Sequence, residues 1–259
     1  MTLQLLVAAM NKEPLALAEE MKIGSDAIIV SQTDYYRYEE VEYKGHKIRY
    51  FATAERGVGL SRNTSLLRAE ADILLFADED IVYETGYQEK VLAEFEKHPE
   101  ADMLLFNVQA VPGRETYHTD SFGRVRWYNC GRYPTYSFAV KRERVHKFNI
   151  TFSLLFGGGA PYSNGEDSLF IRDCLQNGMK VYKVPVTIGA EKERPSTWFQ
   201  GYNMKFFFDR GVLYSHLYGR LDKLMAMRFL LAHKQEMCQE ISVKKAFQIM
   251  CEGIREGRR

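Results

Sequence analysis

Five short and nearly continuous apolar runs, separated by helical patterns, limit what this 259-residue chain can fold into more than any other feature. Leu3 to Ala9, Asp26 to Ser31, Lys47 to Ala52, Ile73 to Phe76 and Met103 to Val108 each read as a buried strand. Between them, Pro14 to Met21 predicts a helix with proline in its first turn. Ser61 is placed to cap a helix through Ala69. Tyr87, Val91, Leu92 and Phe95 share one face of a helix that stops before Pro99. Strands apolar along their whole length are covered on both faces. The alternation therefore predicts an α/β fold, Rossmann-like, with an open and mostly parallel sheet flanked by helices. Ligands of such sheets sit beyond the carboxyl ends of the strands, where the topology switches. The loops after Ala9, Ser31 and Phe76 are the places to look for chemistry.

The second half of the chain is less regular. Residues 112–161 are rich in Gly, Tyr, Arg and Asn, with a short strand near Phe138 to Val140. The glycines Gly157–Gly159 form a loop that can bend closely around a ligand or another segment. A helix is expected from about Glu166 to Gly178, then a strand from Val181 to Ile188, and helices beyond Pro195. This divides the chain into a catalytic domain over 1–200 and a helical C-terminal extension, packed on it, over 201–259.

Composition removes several classes. A formal net charge of +1 lacks the basic excess of a nucleic-acid binder, so no nucleic-acid partner is expected. The cysteines, Cys130, Cys174, Cys238 and Cys251, are scattered and read as free thiols of a reducing cytoplasm. No leader is visible at the N-terminus, and no run reaches the ~18 apolar residues that span a bilayer. The expected location is cytoplasmic. Histidines in metalloprotease spacing, a GxSxG elbow and a GxxxxGK[ST] loop are all missing from the sequence.

Three short stretches concentrate reactive groups. Asp78-Glu79-Asp80 follows the Ile73–Phe76 strand directly. Adjacent carboxylates repel unless a cation or donors lie among them, and one or two carboxylates plus substrate phosphates suit a hard divalent ion. The plain alternative is a solvated acidic turn. Gly165-Glu166-Asp167 opens a helix, where a carboxylate can act as general base or simply favour the helix start. Arg56 to Asn63, with two glycines and two arginines at a helix start, can hold a diphosphate.

Taken together, these pieces resemble the GT-A glycosyltransferases of family 2, in the branch of capsule and exopolysaccharide enzymes. The resemblance runs from Leu3 to roughly Leu217. It is strongest where Gly59-Leu60-Ser61-Arg62-Asn63, an apolar strand and the D-x-D of Asp78 and Asp80 follow in order. It continues through Gly165-Glu166-Asp167 and Ser196 to Gly201. The resemblance implies a metal-dependent, inverting transfer from a nucleoside-diphosphate sugar, UDP-sugars foremost, to a hydroxyl of a glycan or lipid-linked acceptor. By the same likeness, Asp80, with Asp78, would bind Mn²⁺ or Mg²⁺. Donor contacts would come from Arg62, Asp78 and Glu79, with Gln32 or Asp34 reading the base. Asp167 would be the general base, with Glu166 and Trp198 on the acceptor. Gln32 stands where the family has an acid, and Ala8-Ala9-Met10-Asn11 lacks the family's usual proline and tyrosine.

Two other readings stay open: a sugar nucleotidyltransferase, and a non-catalytic relative that binds nucleotide sugars or glycans. Asn11-Lys12-Glu13 does not look like the phosphate loop of the first. The tail from Arg220 to Arg259 carries nine Lys/Arg against five Asp/Glu, with Leu217, Leu221, Leu224 and Leu231 at helical spacing. That pattern fits a helix packed on the catalytic domain; the alternative is a peripheral contact with the inner face of a membrane. A homo-oligomer is compatible with either.

Overall fold

The structure, a computed structural model, describes residues 1–112, 117–193 and 201–259. In chain order the elements are β1 (Leu3–Met10), α1 (Pro14–Met21), β2 (Asp26–Gln32), β3 (Arg37–Tyr43), β4 (His46–Thr53) and α2 (Val58–Leu66). Next come β5 (Ile73–Asp78), β6 (Ile81–Tyr83), α3 (Tyr87–Lys97), β7 (Met103–Gln109), β8 (Gly123–Arg124) and β9 (Phe138–Lys141). The chain closes with α4 (Arg142–Lys147), α5 (Glu166–Gln176), β10 (Val181–Glu191), α6 (Met204–Tyr218), α7 (Asp222–Met237) and α8 (Val243–Glu256).

The strands form one sheet in the order β3-β4-β2-β1-β5-β9-β7-β10-β6, with β8 beside β10. β4, β2, β1 and β5 are mutually parallel. β9 runs antiparallel to both β5 and β7, and β10 is parallel to β7. Six strands therefore point the same way, and their carboxyl ends share one edge. Register places Met10 beside Gln32 and Ala8 beside Asp78 at that edge.

Both faces of the sheet are covered, as the continuous apolar runs require. On one face Leu17 and Met21 of α1, with Tyr87, Val91 and Phe95 of α3, pack on Leu5, Val7, Ile29 and Leu75. On the other, Leu66 of α2 and Phe170, Ile171 and Cys174 of α5 pack on Leu6, Leu74 and Phe76. A third cluster joins α6, α7 and α8 to Phe156 and Leu169.

Several details differ from expectation. α2 begins at Val58, three residues before Ser61, which lies inside the helix and caps nothing. β3 was not legible because it is a charged edge strand with Glu39, Glu40 and Glu42 and no buried residue, the pattern that discourages edge-to-edge pairing. It joins β4 through Lys44-Gly45, both at positive φ, which is the two-residue hairpin turn that matches strand twist. In the tail, Leu217 is buried, but Leu221, Leu224 and Leu231 are exposed. α7 instead faces inward through Asp222, Ala226 and Leu230. Buried Asp222 is bound by the Arg258 guanidinium, with Nη2 at 2.6 Å, which turns the helix this way. Among the described residues, no helix is long and apolar enough to cross a membrane.

α6 and α8 cross closely at two glycines. A Cβ on Gly211 would lie 2.2 Å from the Met250 carbonyl oxygen, and one on Gly253 would lie 2.1 Å from that of Phe208. Backbone cannot yield as a side chain does, so Gly253→Ala is expected to cost about 1–3 kcal/mol. Urea unfolding should show a lower midpoint for Gly253→Ala; an unchanged midpoint would mean the helices are not in contact there.

Candidate functional site

The carboxyl edge of the sheet gathers groups from four separate segments. β5 delivers Asp78 at its last position, and Glu79 and Asp80 turn the chain into β6. All three acidic residues are partly exposed. Glu79 Oε2 accepts the Met10 N–H at 2.7 Å, fastening the end of β1 to this turn. The Asp80 carbonyl accepts the Lys192 N–H at 2.7 Å.

α2 brings the cation. Gly59 sits against the 152–153 backbone, where any Cβ would lie 2.4 Å from the Ser153 carbonyl oxygen. Asn63 fixes the same contact by donating to the Phe152 carbonyl at 2.9 Å and accepting its N–H at 2.7 Å. That docking aims Arg62 into the sheet edge, with its guanidinium 5.4 Å from the centre of the Phe152 ring. Its side chain is 5% exposed, with Nη2 2.8 Å from Asp78 Oδ1 and Nη1 2.7 Å from Glu166 Oε1. Burial pulls the guanidinium toward neutrality, but the two carboxylates outweigh it and hold its pKa above the ordinary value. Arg62 Nε is buried without a hydrogen-bond partner.

α5 brings the acidic pair. Glu166 faces Arg62, while Asp167 Oδ1 accepts from Ser168 N and Oγ. Burial above all, then the charge of Glu166, lifts the Asp167 carboxyl to about 6, against the pull of the Ser168 donors and Arg62. The segment before α5 is held by a residue the sequence reading did not single out. Asp209, buried inside the apolar helix α6, accepts the Ser163 N–H at 2.9 Å and binds Lys205 Nζ at 2.6 Å. An acid amid Phe206, Phe207 and Phe208 was the available signal.

The two glycine-rich segments meet. Val58 N–H donates to the Gly158 carbonyl at 2.9 Å, so Gly57 and the Gly157–Gly159 loop form one wall of the cleft. Gln32 is buried, and its Oε1 accepts the Gly57 N–H at 3.0 Å. Asp34 lies further out: its side chain is 90% exposed and paired with Arg56 at 2.8 Å. The structure thus brings together Arg62, Asp78, Glu166 and Asp167, with Glu79 and Asp80 at the rim and Asp34 outside. Trp198 lies outside the described residues.

A divalent ion is compatible with these donors. Asp78 and Asp80 offer hard carboxylate oxygens, and Asp78 uses Oδ1 for Arg62. Among the described residues there is no group of three His, Cys, Asp or Glu able to hold an ion. One or two carboxylates completed by phosphate oxygens is the arrangement magnesium-type ions accept, so the fit is to an ion shared with a phosphorylated ligand.

Residues 20–163 match the model of glycosyl transferase family 2. The chain belongs to this family. It is a glycosyltransferase with the GT-A fold, a mixed sheet flanked by helices and a helical C-terminal segment. No curated protein matches it by sequence. Among solved structures, it is similar to S. aureus TarS 1–349 in complex with UDP-GlcNAc, with a TM-score of 0.64 and 14% identity over 96% of this chain and 76% of that one. It also matches the longer S. aureus TarS chain, with a TM-score of 0.63 and 14% identity over 99% of this chain and 50% of that one.

A carboxyl raised to about 6 is a stability statement about this family 2 site. The folded state binds the Asp167 proton more tightly than the unfolded chain, whose aspartates titrate near ~3.9. This favourable contribution is complete below about 4 and is lost as pH rises through about 6. Asp167→Asn should therefore gain on the order of 2–3 kcal/mol relative to wild type at pH 7 and only a few tenths, roughly, at pH 4. Guanidinium unfolding at both pH values measures this, and a variant less stable than wild type at pH 7 would contradict the raised pKa.

Proposed function

We propose that this family 2 enzyme transfers a sugar from a nucleoside-diphosphate sugar, a UDP-sugar foremost, to a hydroxyl of a glycan or lipid-linked acceptor with inversion. The observation that carries the reading is Arg62, which ties Asp78 at the end of β5 to Glu166 beside Asp167. A carboxylate at the sheet edge and the acidic pair opening α5 are thereby held in a single cleft, which supports the reading. S. aureus TarS, whose fold this chain shares, is seen with UDP-GlcNAc, which supports a donor of that class.

In this reading the diphosphate lies at the carboxyl edge of β5, below the wall made by Gly57 and Gly157–Gly159. Asp80 and Asp78 would hold Mn²⁺ or Mg²⁺, whose chemistry when bound is to offset negative charge on the diphosphate oxygens. Glu79 supports that turn through Met10 and borders the donor. Gln32, anchored to Gly57, and the exposed Asp34 border the base. Asp167 takes the proton of the acceptor hydroxyl, whose oxygen attacks the anomeric carbon. The bond from that carbon to the diphosphate breaks on the opposite side, and the diphosphate leaves with the electron pair. A base with a pKa near 6 is mostly ionised at neutral pH yet still basic enough to accept a proton in the transition state. Glu166 keeps the acceptor side polar, and Trp198 supplies a stacking face for a sugar.

The test is UDP release from UDP-GlcNAc in the presence of an oligosaccharide acceptor pool. The wild-type rate should rise with pH through about 6 and then level off. Asp167→Asn should lose about 10²–10⁴ of the rate. An asparagine variant with the wild-type rate would remove Asp167 from the chemistry.

A further inference from the structure

A second concave site lies beside the catalytic carboxylates, and nothing in the donor chemistry uses it. It is a cavity of about 420 Å³ between α5, the end of α6 and residues 124–127. Its lining includes Arg124, Arg126, Arg172, Trp127 and Tyr218, and no carboxylate. Among the described residues, neither Arg124 nor Arg126 takes part in an ion pair, and both are exposed. Arg172 is positioned by the protein itself: Nε donates to the Leu217 carbonyl at 3.1 Å and Nη1 to Gln176 Oε1 at 2.8 Å, with Asp173 3.6 Å away from outside the lining. Trp127 leaves half its surface open to solvent.

The cavity borders the segment that carries Asp167. A Cβ on Gly131 would touch both the Tyr218 hydroxyl, at 3.4 Å, and Ser168 Oγ, at 3.8 Å. Ser168 is the residue whose N–H and hydroxyl bind Asp167, and Tyr218 lines the cavity. Cys130 Sγ in turn donates to the Trp127 carbonyl, fastening the cavity's aromatic wall to the same segment. Arg172 is five residues along α5 from Asp167, about 7.5 Å of helix rise. Five residues also turn about 140° around the helix axis, so an acceptor that meets both Asp167 and the arginines must wrap around α5 and be longer than one sugar ring.

We infer that this cavity binds the acceptor and selects one carrying an oxyanion, a phosphate or a carboxylate, beside a sugar ring that stacks on Trp127. The inference rests on the transferase reading for the word acceptor, but not for the anion preference. Guanidinium groups recognise such oxyanions by paired hydrogen bonds, and an open indole offers a sugar its flat face. No carboxylate in the lining competes with a bound anion for the three guanidinium groups.

Calorimetric titration of the wild type with glucose 6-phosphate, glucuronate and glucose reads the site. Glucose 6-phosphate should bind at least about tenfold more tightly than glucose. Arg124→Ala with Arg126→Ala should remove most of that preference and lower its dependence on salt. Glucuronate matching glucose 6-phosphate assigns a general oxyanion site, and glucuronate matching glucose assigns phosphate. Equal binding of all three, or a preference untouched in the double variant, overturns the inference. Calorimetry with UDP on the same samples separates the two claims. If UDP binds and the sugars bind alike, the anion site is wrong and the transferase reading stands. If UDP does not bind but the charge preference and its loss persist, the anion site stands without the transferase.

Discussion

Arg62 is buried at the floor of the cleft, and the placement of everything above it depends on how its charge is compensated. A guanidinium removed from water is tolerated only when carboxylates replace the lost solvation. Here Asp78 and Glu166 do so, one from the end of β5 and one from the start of α5, far apart in the sequence. Such a bridge adds little net stability compared with an apolar core of the same shape, yet removing one partner leaves a buried charge uncompensated. What it secures is geometry. Lysine could not reproduce it, because a single ammonium does not present the planar fork that spans two carboxylates.

The rest of the cleft is arranged around that bridge. Gly59 lets α2 press against the Ser153 backbone, and Asn63 locks the contact. The Gly158 carbonyl then closes onto Val58. On the far side, Asp209 holds the chain entering α5 through Ser163, so α6 is coupled to the acidic pair as well as to its own helical cluster. The same helix end forms the Tyr218 wall of the arginine-lined cavity. The C-terminal helices thus bear on the α5 side of the site through particular contacts rather than through bulk alone.

Much of this was legible in the sequence where one physical signal dominated. The continuous run Ile73-Leu74-Leu75-Phe76 had to be a central strand, and Pro14 to Met21 had both its proline and its apolar spacing. Arg62, Asp78, Glu166 and Asp167 were visible as candidates because their short motifs follow in the order of the family 2 enzymes; each motif alone also has a structural use. What one-dimensional pattern does not carry is mutual distance. Nothing in the spacing says that Arg62 joins Asp78 to Glu166, that Gln32 turns its Oε1 to Gly57, or that Gly158 meets Val58. β3 hid behind its glutamates, because an edge strand need not be apolar. The leucines at 221, 224 and 231 suggested the buried face of α7, but the Asp222–Arg258 pair sets the opposite one. Arg172 lies far along the sequence from Arg124 and Arg126, so no local pattern joins the three.

In the proposed reading, the edge of β5, over Arg62, is a nucleoside-diphosphate site completed by a divalent ion at Asp78 and Asp80. Calorimetric titration of UDP into wild type and Asp80→Ala, with and without Mn²⁺, decides it. Wild type should bind UDP more strongly with Mn²⁺, and Asp80→Ala should lose that metal-dependent gain. UDP binding of equal strength in both proteins, indifferent to Mn²⁺, would contradict it and leave Asp78-Glu79-Asp80 an acidic turn.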